Sequence, residues 1–471
     1  MEFLENIVGI GNDLLWTYVV VILLIVFGVY FSVYLNFPQI RLIGDMGKLL
    51  VRGRTLPDGK TDGISSFQAL TMSIASHVGT GNMAGVAIAI SAGGPGAVFW
   101  MWIIALVAAS LSFVENILAQ TYKEKDGNSF RGGPSYYMKK ALGQEKIGIF
   151  FSVLITVSFG LIFNSVQANT LADAIEGTYG FGNAIVGGAV ALIVALVIFG
   201  GVKRIARVTE ILVPIMAVIY VGIAFVVILL NITAVPQLFG SIFAGAFGFE
   251  PFAGGTLGAV IMNGIRRGLF SNEAGMGSAP NAAATSHVSH PVKQALIQVL
   301  GVFVDTLIIC TSTAFIILLS GEFGGDLVGI QLTQGALSSH VGDWGGTFIT
   351  FAIVFFTFSS ILGNYYYGET NIQYLSSNKA WLTLFRFAVL AMVFIGSIAS
   401  LGLVWDTADI FMGLMVVVNV LVIGKLSKIA LVVSKDYIRQ KKEGLDPVFV
   451  ASKVDGVENV ECWDDPSKEN K

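Results

Sequence analysis

Apolar runs of membrane-crossing length, parted by short polar stretches, set the pattern of the chain. About 20 apolar residues in helical form cross the hydrocarbon of a bilayer. Eleven such stretches are predicted, at about 16–37, 64–92, 96–121, 147–176, 183–200, 205–231, 256–288, 292–320, 344–375, 378–402 and 406–433. We number them spans one to eleven. The pattern predicts an all-α polytopic membrane protein. Residues 443–471 are polar and acidic, contain no span, and are expected to form a loosely ordered tail.

Loop charges give an orientation, because Lys and Arg concentrate on the cytoplasmic side. Arg41, Lys48, Arg52, Arg54 and Lys60 lie between spans one and two. Lys123, Lys125, Arg131, Lys139, Lys140 and Lys146 follow span three, and Lys203, Arg204 and Arg207 follow span five. Lys293 and Lys379 mark the next two loops on that side, and Lys425 through Lys442 follow span eleven. The alternate loops, 92–96, 176–183, 231–256, 320–344 and 402–406, contain neither Lys nor Arg. The N-terminus is therefore expected outside and the C-terminus in the cytoplasm. Glu2, Glu5 and Asp13, with no Lys or Arg in the first fifteen residues, are the reverse of a basic signal-peptide start.

Composition agrees with this reading. Of 471 residues, 54% are hydrophobic and 13% charged, against roughly 25% charged in a soluble domain. A net charge of −3 points to no nucleic-acid partner. Two cysteines, Cys310 in an apolar segment and Cys462 in the tail, make no disulfide framework. No G-x-x-x-x-G-K-[ST] and no H-E-x-x-H occurs, and intramembrane hydrolysis lacks an evident nucleophile and base. His287 and His290 are a close pair before Pro291, read as solvated loop histidines rather than a metal site. A carrier or a channel remains, not an enzyme, and no cofactor is expected.

Two spans contain residues that resist helix. Span two holds Gly79-Thr80-Gly81-Asn82 at its midpoint, and span seven holds Gly268-Leu-Phe-Ser-Asn-Glu-Ala-Gly-Met-Gly-Ser-Ala-Pro280. Broken helix at membrane depth survives only where protein or water satisfies the freed backbone. Such a break offers carbonyls to a cation, and a half-helix N-terminus offers N–H groups to a carboxylate. A zwitterion and a cation need that combination. With span one set aside, the breaks open two sets of five spans, two to six and seven to eleven. An odd number per set inverts one half relative to the other, as in inverted-repeat transporters that bind substrate and ions between the halves. The expected units are 1–63 (extra helix and linker), 64–231 and 256–433 (the two repeats), and 434–471 (tail).

Gly79-Thr-Gly-Asn82, Gly93-Gly-Pro-Gly-Ala97 with Phe-Trp-Met-Trp102, Arg131-Gly-Gly-Pro-Ser-Tyr-Tyr137, and Arg267-Gly-Leu-Phe-Ser-Asn-Glu-Ala-Gly-Met-Gly-Ser-Ala-Pro280 resemble the alanine/glycine:cation symporter family over about 15–440. The resemblance implies a LeuT-like 5+5 inverted-repeat core with one extra N-terminal helix. It also implies a bacterial or archaeal plasma-membrane carrier for alanine, glycine, serine or glutamine, driven by Na⁺ or sometimes H⁺. His77 departs from the pattern, because members often carry a small polar residue or Arg there. Coupling ion and exact substrate therefore stay open, as does the oligomeric state.

The candidate substrate-binding residues are Thr80, Gly81 and Asn82 at the first break, Gln167 on span four, and Phe270, Asn272 and Met276 in the span-seven motif. Gly160, Asn164 and Gln167 fall at i, i+4, i+7 and are read as one helix face. By resemblance Gln167 reaches substrate, whereas Asn164 is taken as structural. The cation set that the resemblance implies joins the Ala75 and Val78 carbonyls to Ser359 and Ser360 on span nine, near Thr357 and Asn364. Glu273, Asp305 and His77 are candidates for coupling or gating, and Glu115 shares their ambiguity. An intramembrane carboxylate is a functional hypothesis by default. Glu273 and Asp305 are read as proton acceptor, cation ligand or partner of Arg266 or Arg267. Those two arginines either snorkel outward or line an aqueous vestibule. A symporter explains topology, breaks and motifs together; a channel would explain only the polar residues.

Overall fold

Backbone in hydrocarbon must bond to itself, and helix is accordingly almost the only regular structure. The computed structural model describes residues 2–53, 64–127, 129–248 and 256–463. Arg54 and Lys60, two of the loop charges named above, lie outside the described residues. Among those described, the strands are a hairpin of Glu124–Asp126 with Ser129–Arg131 after span three.

Among the described residues, eight helices are long and apolar enough to cross a membrane: Val8–Tyr34, Gly96–Thr121, Glu145–Tyr179, Lys203–Leu230, Pro291–Ser320, Trp344–Leu375, Lys379–Ile398 and Leu401–Lys425. They correspond to spans one, three, four, six, eight, nine, ten and eleven. Span five is the shorter helix Asn183–Ile198. Spans two and seven are interrupted. Their continuous helices are Ser66–His77 and Leu257–Asn272, each too short to cross without a second piece.

Two helix groups form. Span three packs along spans seven and eight, while spans four and five pack along span ten, and span four also along span nine. The first two members of each five-span set associate, and so do the third and fourth. Two inverted copies of one unit produce such an exchange-symmetric pairing. Span one stands outside both groups with most of its surface exposed. It is held where Gly28 lets its backbone meet Val107, with Ser110 Oγ donating to Gly28 O at 2.8 Å. Small residues at helix crossings allow such approach in membranes.

The structure alters several expected boundaries. The span-one helix begins at Glu2, fourteen residues before the predicted start at 16, because Asp13 and its neighbours continue the helix beyond the apolar run. Span eleven ends at Lys425, and a separate amphipathic helix, Ser427–Lys442, follows it across the expected boundary at 433/434. Two of the loops without Lys or Arg hold helices of their own. Val235–Ala246 packs on span three, and Gly329–Val341 packs on span nine.

The tail is not loose as far as residue 463. Phe449, Val450, Ala451, Val454, Val457 and Trp463 are buried, and their contribution is hidden by the polar average of the segment. Phe449 N donates to Ser289 O at 2.8 Å, Ala451 N to Trp463 O at 3.1 Å, and Trp463 Nε1 to Gln120 O at 3.0 Å. Lys123 Nζ lies 4.8 Å from the Trp463 ring and 4.0 Å from the Phe130 ring. The tail thus bridges the ends of spans three, seven and eight on the basic side of the molecule. His290 accepts from Val292 N at 3.2 Å as the cap of span eight and packs on Phe449 and Tyr437. It is buried, not a solvated loop residue, because the docked tail covers it.

Trp463→Ala removes the tail's largest buried side chain and the bond to Gln120, so the tail should detach. Limited trypsin digestion should then cut at Lys453 at least several times faster than in the wild type, with the spans intact. Equal cleavage rates would show that Trp463 does not hold the tail.

Candidate functional site

Span two loses its helix where the two glycines allow it. Helix Ser66–His77 starts with a capping box, in which Ser65 Oγ accepts from Gln68 N and Gln68 Oε1 accepts from Ser65 N. Its C-cap, Val78, is extended at φ −82° and ψ 92°, and helix resumes as a π turn at Gly81–Gly85 leading into Val86–Gly93. Gly79 N turns from the helical ladder to donate to Asn82 Oδ1 at 3.0 Å, leaving the Ala75 carbonyl without its i+4 donor. A Cβ at Gly79 would run into Ser360 Oγ and Gln167 Oε1, so only glycine fits.

Span seven breaks over Glu273–Ser278. Glu273 has φ 54°, Gly275 φ 87° and Gly277 φ 80°, and a short helix resumes at Ala279–Ala283. Left-handed backbone costs a residue with a Cβ about 1–2 kcal/mol, so Glu273 holds this geometry only under restraint. Its carboxylate accepts from Ser76 Oγ at 2.6 Å and Ser278 Oγ at 2.5 Å, and His77 Nε2 lies 3.5 Å away.

The residues around the first break converge. Thr80 N donates to Gln167 Oε1 at 3.1 Å, and Ser360 Oγ lies 3.2 Å from Val78 O and 2.9 Å from its own-helix Phe356 O. Thr80 Oγ1 is buried with no hydrogen-bond partner. Phe270 lies over this region, stacked on Phe163 at 4.9 Å between ring centroids and tilted on Trp405 at 4.7 Å. A Cβ at Gly81 would lie 3.1 Å from the Phe270 ring and 3.2 Å from Ser271 Cα, so the two broken helices touch there.

A second polar group joins the two breaks to span eight. Asp305 accepts from Asn82 Nδ2 at 2.7 Å, Ser271 Oγ at 2.8 Å and Thr306 Oγ1 at 2.9 Å. Asn272 Nδ2 donates to Thr306 Oγ1 at 3.1 Å. Asp305 and Thr306 sit in a π-helical stretch, Val304–Cys310, and Phe163 ends another, Ser158–Phe163. Inserted π turns redirect side chains and recur at functional sites.

Several sequence-predicted residues stand elsewhere. On span four a π turn, Ser158–Phe163, includes Gly160 and precedes Asn164. Gly160 faces Phe385 and Gly368, and Asn164 Nδ2 donates to Gly160 O at 2.9 Å in its own helix. Gln167 alone of the three reaches the break. Ser359 Oγ donates to Phe356 O at 2.9 Å and lies 3.8 Å from Met216 Sδ on span six, whereas Ser360 meets Val78. Thr357 bonds its own helix at Ile353 O, 2.7 Å. Met276 is buried in the second break, and Asn364 Oδ1 lies 2.6 Å from Ser76 Oγ.

Sequence reasoning left the arginines open, and neither Glu273 nor Asp305 is their partner. Arg267 pairs with Asp409 on span eleven, and Arg266 Nη1 lies 3.5 Å from the same carboxylate. The Arg267 guanidinium lies 4.9 Å from the Trp405 ring and 5.5 Å from the Phe270 ring, and Trp16 Nε1 donates to Asp409 O at 3.1 Å. One signal was in the sequence: Asp409 is an acid inside an apolar span. Glu115 resolves as a clamp on the second break. It accepts from Gly275 N and Gly277 N, both at 3.1 Å, and from Asn419 Nδ2 at 2.8 Å. Among the described residues no group of three or more His, Cys, Asp or Glu could hold a metal ion.

Comparison with known proteins agrees with this architecture. The crystal structure of MhsT in complex with L-phenylalanine superposes with a TM-score of 0.53, covering 81% of this chain and 90% of that one at 14% identity, which shows a LeuT-type fold. The probable sodium/glutamine symporter GlnT of Bacillus subtilis is 53% identical over 98% of this chain and 96% of its own length. The amino-acid carrier protein AlsT of the same organism is 52% identical over 99% of each chain. The sequence profile described as the sodium:alanine symporter family matches residues 1–451. With breaks, helix grouping and relatives in accord, the chain is a multi-pass membrane transporter, not an enzyme, and belongs to the sodium:alanine symporter family.

Proposed function

We propose that the protein imports a small neutral amino acid, glutamine or alanine foremost, together with Na⁺ across a bacterial or archaeal plasma membrane, its N-terminus outside and its C-terminus in the cytoplasm. The observation that carries this reading is the first break. Within a few residues it turns the Thr80 N–H toward Gln167 and the Val78 carbonyl toward Ser360. A donor for a carboxylate thus lies next to an acceptor for a cation. Gly81 and Asn82 extend the donor side, and Phe270 with Trp405 forms an apolar cover over the substrate's side chain. Substrate carboxylate would take the Thr80 N–H that Gln167 now occupies, and the Gln167 amide would turn its Nε2 donor to it. Asn272 and Met276 belong to the same substrate set.

The cation site we propose comprises the Ala75 and Val78 carbonyls and Ser360 Oγ, all oxygens, as a hard cation requires. Ser359 stands outside it because its hydroxyl is turned toward Met216. The buried pair of Arg267 with Asp409 would cap the site toward the side proposed as external. The arrangement around Asp305 links both breaks and gives one carboxylate a stake in each. H⁺ coupling is the second reading, favoured by one observation: Glu273 and His77 lie 3.5 Å apart at the second break, close enough to share a proton.

Purified protein in proteoliposomes should accumulate labelled glutamine or alanine when an inward Na⁺ gradient is imposed. Accumulation driven by a pH gradient alone would replace Na⁺ with H⁺, and accumulation with both gradients collapsed would end the symporter reading.

Ser360→Ala should weaken apparent Na⁺ affinity about tenfold, the equivalent of roughly 1.4 kcal/mol, with little change in substrate preference. Ser359→Ala should leave both unchanged. Equal effects at the two serines would remove Ser360 from the ion site.

Gln167→Ala should lower amino-acid affinity about ten- to a hundred-fold, as expected from losing a bond to a charged group worth roughly 1.5–3 kcal/mol. Melting temperature measured on the same sample separates this from a structural role. Normal binding with reduced stability would make Gln167 an interhelical strut.

A further inference from the structure

Where span one turns out of the membrane, it meets the helix that follows span eleven, and the junction encloses a cavity of about 530 Å³. That is the size of an ordinary small-molecule site. Four basic side chains line it, Arg41, Lys435, Arg439 and Lys442, against the single carboxylate of Glu443. Arg439 is already committed to Asp436 at 2.5 Å and to Glu443 at 3.5 Å. Arg41, Lys435 and Lys442 have no acidic partner among the described residues. Three uncompensated cations around one concavity repel one another, and an anion placed among them relieves that repulsion.

The apolar part of the wall distinguishes a lipid from a free anion. Leu35, Leu431 and Ile438 line the same cavity. The segment that supplies Leu35 continues a helix whose Tyr30 and Val33 are exposed, and the apolar Phe37 and Ile40 beyond it are exposed as well. The cavity therefore lies beside exposed apolar helix surface that acyl chains would cover, with its charges at the helix ends where headgroups would lie. A soluble phosphate would gain nothing from that apolar edge. Basic pockets between helices at the cytoplasmic surface recognise anionic lipid headgroups by this combination. We propose that this cavity binds the phosphodiester of an anionic phospholipid. Its assignment to the inner leaflet rests on the orientation proposed above, whereas binding itself does not. Such a lipid would tie span one, peripheral to both helix groups, to the helix leaving span eleven.

The test uses full-length protein, delipidated in neutral detergent and titrated with dioctanoyl phosphatidylglycerol, dioctanoyl phosphatidylcholine or sodium phosphate, with melting temperature as the readout. Phosphatidylglycerol should raise the melting temperature saturably, and the other two should not. Replacing Arg41, Lys435 and Lys442 together by Gln should weaken that apparent affinity at least tenfold. The charge-keeping set Arg41→Lys, Lys435→Arg, Lys442→Arg should retain most of it, which separates charge from folding. As a matched control, Gln at the exposed Lys125, Lys146 and Lys379 should have no effect. An equal loss in the control set would reduce the effect to general surface charge and overturn the site. Protection by sodium phosphate equal to that by lipid would overturn the lipid assignment.

Discussion

Backbone that leaves the helical ladder inside a bilayer has no water to bond with, so each freed N–H and C=O needs a protein partner. Much of this structure follows from meeting that need twice. At the second break, Glu115 takes the N–H groups of Gly275 and Gly277, and Asn419 bonds both Glu115 and Gly275 O. Tyr137 donates in turn to Asn419 Oδ1 at 2.5 Å. A carboxylate buried in span three is costly alone; three donors and a fixed position make it a staple. Span three is accordingly gripped between spans seven and eight, and the motif Arg131–Tyr137 contributes its last tyrosine to that staple.

The first break is held differently, and the difference has a functional sense. No carboxylate clamps it. Its groups meet an amide, Gln167, and a hydroxyl, Ser360, which carry no net charge and exchange partners at low cost. Thr80 Oγ1 is left without a partner. In the proposed site a rigid break thus stands opposite an adaptable one, whose polar groups would transfer to a ligand. The carboxylates Glu273 and Asp305 sit between the two, each touching residues of both broken helices.

Packing on the two sides of the breaks also rests on different chemistry. On one side Arg267, Asp409, Trp405 and Phe270 form a charged and aromatic cluster, with span one contributing Trp16. On the other, Ile64 at the start of span two and Ser286 in span seven pair as an isolated bridge, His287 N donates to Ile64 O at 3.0 Å, and the tail bonds the nearby Ser289 O. The first side is thus held by side-chain contacts, the second by backbone bonds as well.

Membrane residence, the helical class, the positions of both breaks and the family resemblance were all legible in the chain, because each depends on local properties. An apolar run of 20 residues has one stable solution in lipid, and Gly79, Gly81, Gly275, Gly277 and Pro280 oppose helix wherever they are placed. Partnerships were not legible. That Arg267 pairs with Asp409 rather than Glu273 or Asp305 depends on how spans seven and eleven cross, 142 residues apart in sequence. The serine that faces Val78 and the one that faces Met216 are neighbours of identical chemistry, and only helix rotation tells them apart. Span four shows the same limit: Gly160 faces Phe385, Asn164 bonds its own helix and Gln167 reaches Thr80, and only packing assigns those partners. Local physics decided where the chain could bend; long-range packing decided what each bend would meet.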